Sequence, residues 1–248
     1  MAETRQLVDP AVAIKRVQRA SDQVAMQLRD MIVSGVLPDG ARLPNEMELA
    51  RRSGVSRATI REALQMLAAE GLTRTKKGVN GGTFVALPSP DDVTDTLRFG
   101  VTLLSNSNGL TIENLIEARE LLEIPAAGLA AERRTDEELE RIRAAVPEGD
   151  HVPFVAGLQQ STSFHTLVMA AAHNPLLSIA TQPVQHVLVA RLSPAAIEPE
   201  FHSEINHQHS DIADAIEARD PEAARRMMQE HLAWLKARHQ RFWDEPAG

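Results

Sequence analysis

Apolar residues recur at helical spacing along most of this chain, and short stretches rich in glycine, proline, serine and asparagine interrupt them. Val24, Leu28, Met31 and Ile32 form the first stripe and predict a helix over 21–34, stopped by Gly35 and preceded by a loose arm over 1–18. After the turn-rich Val36-Leu37-Pro38-Asp39-Gly40 come two short helices. The first opens at Asn45, whose side chain caps free amides while Glu48 reaches back in a capping-box arrangement, and it turns Leu49 and Ala50 inward. Ser53-Gly54-Val55 makes the turn. The second starts at Ser56 and carries Ile60, Ala63, Leu64 and Leu67 on one face before Gly71 ends it. Residues 72–75 and 83–85 then read as two strands, joined by a basic, glycine-rich loop over 76–82.

Leu87-Pro88-Ser89-Pro90 breaks this pattern, so a first domain over 19–86, a linker over 87–92 and a second domain over 93–243 are expected. Ser89, Pro90 and Asp92 also offer a cap, a first helical proline and an acidic first turn. Beyond them the pattern is helical throughout. Breaks near 105–109, 147–151, 174–175, 193–199 and 220–221 divide it into about six helices. Thr135 with Glu138 reads as a capping box, and Asp220-Pro221-Glu222 as an aspartate cap followed by a first helical proline. Pro125 and Pro183 fall inside apolar helical patterns and predict kinks. The fold class is therefore mostly α: an N-terminal helix-turn-helix with a small β-hairpin wing, followed by an all-helical bundle.

Composition supports packed helices, because aromatics make up only 3% and tyrosine is absent, leaving aliphatic side chains to fill the core. With no cysteine, only histidine and carboxylates remain as metal ligands. A formal charge of −8 argues against a nucleic-acid partner until its distribution is considered. Residues 1–90 hold 13 Lys and Arg against 9 Asp and Glu, and the remainder 13 against 25. Basic charge is thus segregated into the helix-turn-helix half, although ordinary solvated helix faces account for most of the acidity of the other half. No apolar run reaches membrane-spanning length, and Glu3, Arg5 and Asp9 interrupt what would be a signal peptide's centre, so a cytoplasmic protein with no membrane partner is expected.

Arg57 and Arg61 lie one turn apart on the polar face of the second short helix, at the end that would enter a major groove first. Arginine's planar fork can bond both guanine acceptors or bridge to phosphate, and Lys76 and Lys77 place further positive charge on the wing. The bland alternative is a helical hairpin with solvated arginines.

In the second half, three histidines face inward. His165 shares a stripe with Leu158, Ser161, Val168, Met169 and Ala172; His209 with Ile205, Ile212, Ala213 and Ile216; His231 with Ala224, Met227, Met228, Trp234 and Leu235. One such residue is ordinarily a core histidine bonded to a carbonyl. Three on separate helices are also what a zinc-like cation needs inside a bundle. His151, His173, His186, His202, His207 and His239 lack this context and read as surface or loop residues. Arg119 lies on the stripe of Ile112, Leu115, Ile116 and Leu122, so its charge must meet an anion indoors: Glu123 one turn later, a bound ligand, or both.

The motifs resemble a known family. Leu43-Pro44-x-Glu46, Gly54-Val55-Ser56-Arg57-x-Thr59-x-Arg61-Glu62-Ala63-Leu64, Glu70-Gly71-Leu72 and Gly82-Thr83-Phe84-Val85 together resemble the winged helix of the GntR family of bacterial transcription regulators. That resemblance implies that Ser56, Arg57, Thr59 and Arg61 touch DNA with the glycine tip of the wing, Gly81 and Gly82; Asn45, Lys76 and Lys77 complete the candidate set. Met47 stands where some members carry a DNA-contacting arginine. Glu117-Ala118-Arg119-x-x-Leu122-Glu123, Phe164-His165 with Asn174-Pro175, and His209 followed by His231-Leu232 look like the FCD-type effector domain of the FadR subfamily. Its members commonly hold a divalent metal through one aspartate and three histidines and bind small carboxylates beside it. His165, His209 and His231 match the histidines, while Ser161 stands where the aspartate usually is.

The resulting expectation is a homodimeric regulator on a palindromic double-stranded DNA operator. It would be a repressor released or re-oriented by a small organic acid, with zinc or a similar divalent metal at the histidines and Arg119 and Ser161 at the effector. The alternatives are a metal-responsive regulator and a three-histidine hydrolase; the absence of His-Glu-x-x-His counts against the latter.

Overall fold

The computed structural model describes residues 18–107, 109–146, 154–190 and 199–242. The arm over 1–17 and His151 lie outside them, as do the side chains of Leu158, His202 and His239. The chain divides between Pro88 and Ser89 into two units.

In the first unit, helices α1 (Ala20–Val33), α2 (Glu46–Ser53) and α3 (Arg57–Ala69) precede strands β1 (Thr73–Lys76) and β2 (Gly82–Val85). Their core is aliphatic: Val24, Leu28 and Ile32 of α1 meet Leu49 of α2, Ile60, Leu64 and Leu67 of α3, and Val85 of β2. Met31 departs from expectation and remains 39% exposed. It sits about 100° around the helix from Ile32, and the Val24–Leu28–Ile32 row already fills the buried stripe. Asn45 caps α2 by accepting the Glu48 amide at 2.9 Å, but the reciprocal arm of the capping box does not form. The Glu48 carboxylate instead takes Arg51 at 2.8 Å and Arg52 at 2.7 Å, which holds its carboxyl down at about 2. Gly54 closes α2 in the left-handed conformation, at φ 69°, a geometry that suits glycine. Ser56 caps α3 through the Thr59 amide. The hairpin is antiparallel, pairing Thr73 with Val85 through Lys76 with Gly82.

The second unit contains seven helices among the described residues: α4 (Pro90–Asn106), α5 (Ile112–Arg133), α6 (Asp136–Ala144), α7 (Phe154–Ala171), α8 (Pro175–Ala190), α9 (Pro199–Glu217) and α10 (Pro221–Phe242). The Ser89–Asp92 capping box starts α4 inside the stretch expected as linker. The additional helix arises at Arg134, whose extended ψ of 143° ends α5 before the Thr135–Glu138 capping box starts α6. Asp220 caps α10 through the Ala223 amide at 2.9 Å. Pro125 and Pro183 lie within α5 and α8 without ending either helix.

Helix α5 is central and packs against α7, α8, α9 and α10. Its C-terminal half is small-residue rich, with Ala126, Ala127, Ala130 and Ala131 fully buried, so neighbouring helices approach closely. A Cβ at Gly128 would collide with the Arg225 guanidinium of α10. Its N-terminal half buries Ile112, Leu115 and Ile116 against Val184, Val187 and Leu188 of α8. Between these two apolar ends α5 buries a cation and an anion, Arg119 and Glu123, and that polar layer is where the histidines gather. No described helix is long and apolar enough to cross a membrane.

Candidate DNA-reading head and histidine centre

On α3 the candidate DNA-contacting side chains stand in solvent, with 64% of the Arg57 side chain and 57% of the Arg61 side chain exposed. Both arginines face Glu46 of α2. Arg61 donates to that carboxylate through Nε at 3.0 Å and Nη2 at 2.7 Å, and Arg57 lies 3.9 Å away. These hydrogen bonds hold the Glu46 carboxyl below its ordinary pKa against a smaller opposing effect of burial. The helix-turn-helix geometry thus brings an acidic residue to the arginines, a role the sequence reading did not assign to Glu46. Ser56 and Thr59 pair through their hydroxyl oxygens at 2.8 Å. Met47 is 65% exposed. Lys76 and Lys77 are exposed at the end of β1 and the start of the wing turn. The turn is closed by the Gly81 amide donating to Gly78 and by Arg42 donating to the Gly81 carbonyl at 2.6 Å. A Cβ at Gly81 would fall 2.5 Å from the Lys76 carbonyl oxygen, so the wing requires glycine there. Val79 at its tip is fully exposed.

In the second unit, α7, α9 and α10 bring His165, His209 and His231 together, with one ring nitrogen of each within 4.8 Å of the others. All three are buried. Burial pushes their pKa values down, far below the ordinary imidazole value for His209 and His231, and the neighbouring Glu123 carboxylate opposes but does not reverse this at His165. The imidazoles are therefore neutral.

Their tautomers follow from the surrounding hydrogen bonds. Glu123 lies 2.8 Å from His165 Nδ1, so that nitrogen carries the proton and Nε2 keeps its lone pair. Gln208 donates through its Nε2 to Glu204 at 2.6 Å, which leaves its Oε1 to accept from His231 Nδ1 at 2.8 Å. His231 Nε2 thus also carries a lone pair, and it faces His165 Nε2 at 3.1 Å. His209 stacks on Phe164 with centroids 4.0 Å apart, and its Nε2 is buried without a hydrogen-bond partner. Two Nε2 lone pairs at 3.1 Å repel each other, and a cation held between them would relieve that repulsion. Tetrahedral zinc with nitrogens at about 2.0–2.1 Å separates its ligands by about 3.3 Å; the His165–His231 pair is near that spacing, and with all three nitrogens within 4.8 Å a small inward shift would bring the set around such an ion.

Arg119 is anchored by Glu123, through Nε at 2.6 Å and Nη2 at 3.1 Å, and its Nη2 also approaches His165 Nε2 at 3.3 Å. The internal pair left open by the sequence is therefore formed. Burial alone would raise the Glu123 carboxyl, but Arg119 and His165 outweigh it and hold it well below the carboxylate range. Beside His165 lies a cavity of about 40 Å³ lined by Arg119, Ser161, Thr162 and Gln185 and by apolar side chains of α8, α9 and α10. Ser161, one turn before His165, is thus on its wall. Three polar members of the site, Glu123, Gln185 and Gln208, were not assigned to it from sequence. From sequence Glu123 is only a partner for Arg119; Gln185, polar beside Val184, Val187 and Leu188, is the available signal for the second. His173 pairs with Glu138 at 2.9 Å in the turn after α7, and His186 and His207 are exposed, as expected of surface residues.

A basic recognition helix with a β-wing, in one chain with a helical bundle holding a histidine-lined cavity, defines a DNA-binding transcription regulator with an effector domain. Residues 20–85 match the profile of bacterial regulatory proteins of the gntR family, and residues 114–233 match the FCD domain. The chain is 31% identical over 242 residues to a protein of Escherichia coli (strain K12) named as a regulator of the L-lactate dehydrogenase operon, covering 93% of this chain and 90% of that one. It is also 31% identical over 225 residues to the HTH-type transcriptional repressor NanR of Cronobacter sakazakii (strain ATCC BAA-894), covering 87% of this chain and 83% of the relative. Among solved structures, Streptococcus agalactiae GntR superposes with a TM-score of 0.52 at 27% identity, over 88% of this chain and 99% of that chain. This chain belongs to the GntR family of bacterial transcription regulators.

Proposed function

We propose that this regulator is a homodimeric repressor of metabolic genes, released from or re-oriented on a palindromic operator when a small organic acid enters the cavity beside a zinc-bearing histidine centre. The observation that carries the effector reading is the opposition of two Nε2 lone pairs at 3.1 Å, beside a third buried and unpaired Nε2. His165, His209 and His231 would hold the cation, which would supply Lewis-acid attraction for an anion. With three neutral ligands and the Arg119–Glu123 charges cancelling, that cation keeps its +2 charge, so an anionic ligand is favoured. Arg119 directs a carboxylate, and Ser161 orients a bound water through its hydroxyl. Such a ligand acts only if it binds the two DNA-affinity states unequally.

At the operator, Arg57 and Arg61 read base edges from α3, with Ser56, Thr59, Asn45, Gly81 and Gly82 supporting the approach and Lys76 and Lys77 meeting phosphate. One winged helix spans too few base pairs to select a genomic site, which is why a dimer on two half-sites is proposed. Binding chromosomal DNA places the protein in the cytoplasm. The repressive sign is supported by the relative named a repressor.

Operator binding by chelator-dialysed protein, by the same protein with added zinc, and by the zinc form with a panel of short carboxylates tests the scheme. Release by an acid that requires zinc supports it; release by zinc alone makes the ion itself the effector. Full affinity for a single half-site would refute the dimeric arrangement.

A further inference from the structure

The acceptor of Gln185 is left over. Its Nε2 donates to Glu123 Oε1 at 3.1 Å, and that direction is forced, because turning the amide over would set two acceptor oxygens against each other at the same distance. Glu123 is at the same time fixed by Arg119 and His165, so the amide has no freedom to re-orient. Its Oε1 is consequently buried with no hydrogen-bond partner, in a residue only 4% exposed that lines the cavity. Buried amide oxygens are nearly always paired, and a ligand site is one place where the partner arrives from outside.

We infer that Gln185 selects the effector by accepting a hydrogen bond from a hydroxyl group, so that the cavity takes short hydroxycarboxylic acids in preference to the same acids without the hydroxyl. This deepens the carboxylate-effector reading above and rests on it. A carboxylate answers the cation and Arg119 but carries no donor. Entering beside Gln185, a plain carboxylic acid leaves the Oε1 unpaired, whereas a hydroxyl on the same small skeleton satisfies it. Sites that hydrogen-bond a ligand hydroxyl discriminate strongly against analogues lacking it, since the unpaired group then stays buried. The cavity, about 40 Å³, limits the ligand to a few carbon atoms, and the apolar side chains of Leu188, Val189 and Ile205 on its wall accept a short alkyl part.

The test is calorimetric titration of zinc-loaded, full-length protein with matched pairs: glycolate against acetate, and lactate against propionate. The hydroxylated member of each pair should bind at least about tenfold more tightly. Gln185→Met, which keeps the length and removes the acceptor, should bring the two members to within about threefold of each other, mainly by weakening the hydroxy acid. Because the wild-type comparison needs no variant, failure of Gln185→Met to fold leaves it decisive. Equal wild-type affinities within the pairs overturn the inference while sparing the carboxylate reading, and mean that a bound water satisfies Gln185. A preference that survives in Gln185→Met overturns the role of Gln185. If none of the four acids binds, the carboxylate-effector reading itself is overturned, and this inference with it.

Discussion

Replacing His209 by leucine should make the metal-free protein more stable and at the same time abolish its response to zinc. His209 Nε2 is buried without a partner, and an unpaired buried polar atom costs about 1–3 kcal/mol. Leucine fills a similar volume without that atom. The imidazole also stacks on Phe164 at 4.0 Å, and losing the aromatic contact costs about 0.5–1.5 kcal/mol. The two effects leave a net gain of about 1 kcal/mol, within a span of roughly −0.5 to +2.5. Zinc separates the two proteins: at a free concentration of about 100 times Kd it adds about 2.7 kcal/mol to the wild type. For a chain of this size that amounts to a rise of roughly 5–11 °C in Tm. With one of three nitrogens gone, the variant should show little of that rise. Circular dichroism melts and urea titrations at pH 8, after chelator dialysis and again with zinc, provide the comparison. A variant destabilised by more than about 2 kcal/mol without metal would refute the orphaned nitrogen; an undiminished zinc shift would refute the three-histidine site.

Arg57→Ala and Arg61→Ala should each weaken specific operator binding by about 5- to 150-fold while leaving the melting curve unchanged, and Lys76→Ala or Lys77→Ala should flatten the salt dependence by about one counterion each in binding assays across ionic strength. Glu46→Gln, which removes the anion that Arg61 and Arg57 face, should tighten random-duplex binding more than operator binding; an unchanged ratio in competition assays would show that Glu46 does not restrain the arginines. The folded pKa values of His209 and His231 lie well below their unfolded value of about 6.5. The unfolded chain therefore takes up protons first, and metal-free stability should be flat above about pH 6.5 and fall below it by up to about 1.4 kcal/mol per unit for each histidine, as urea titrations over pH 5–8 would register. Ser161→Asp should raise zinc retention on a desalting column and weaken anion binding, since it returns a negative charge to the cavity wall.

The parts of this architecture that local periodicity controls were legible in the sequence. Ile60, Ala63, Leu64 and Leu67 follow one another on a single helix, and their burial needs only a partner on one side. His165, His209 and His231 were found in the same way, each as a polar residue on its own apolar stripe. What could not be read is anything fixed by the register between helices. Gln185 and Glu123 meet across 62 positions of sequence and His231 and Gln208 across 23, and no period within either helix foretells which rung of one lies beside which rung of the other. Glu46 and Arg61 belong to the same class, joined over 15 residues by the angle of the helix-turn-helix.

That division has a functional side. The side chains legible from sequence supply the candidate metal ligands and the core, whereas those that were not legible decide which lone pairs point inward. Glu123 keeps the proton on Nδ1 of one imidazole by accepting a hydrogen bond from it, and Gln208 does the same for another, so both Nε2 atoms present lone pairs to the centre. Exchanging either partner for an apolar residue would leave every histidine in place yet free its ring to present the wrong nitrogen. Arg119 is bound by the same logic: its Nε and Nη2 are held by Glu123, so only its remaining Nη1 edge is open to a ligand unless the salt bridge loosens. A carboxylate effector of the kind proposed would therefore either accept a single-edged contact or compete with Glu123 for the fork. In the second case occupancy of the cavity would disturb α5, the helix against which α7, α8, α9 and α10 all pack.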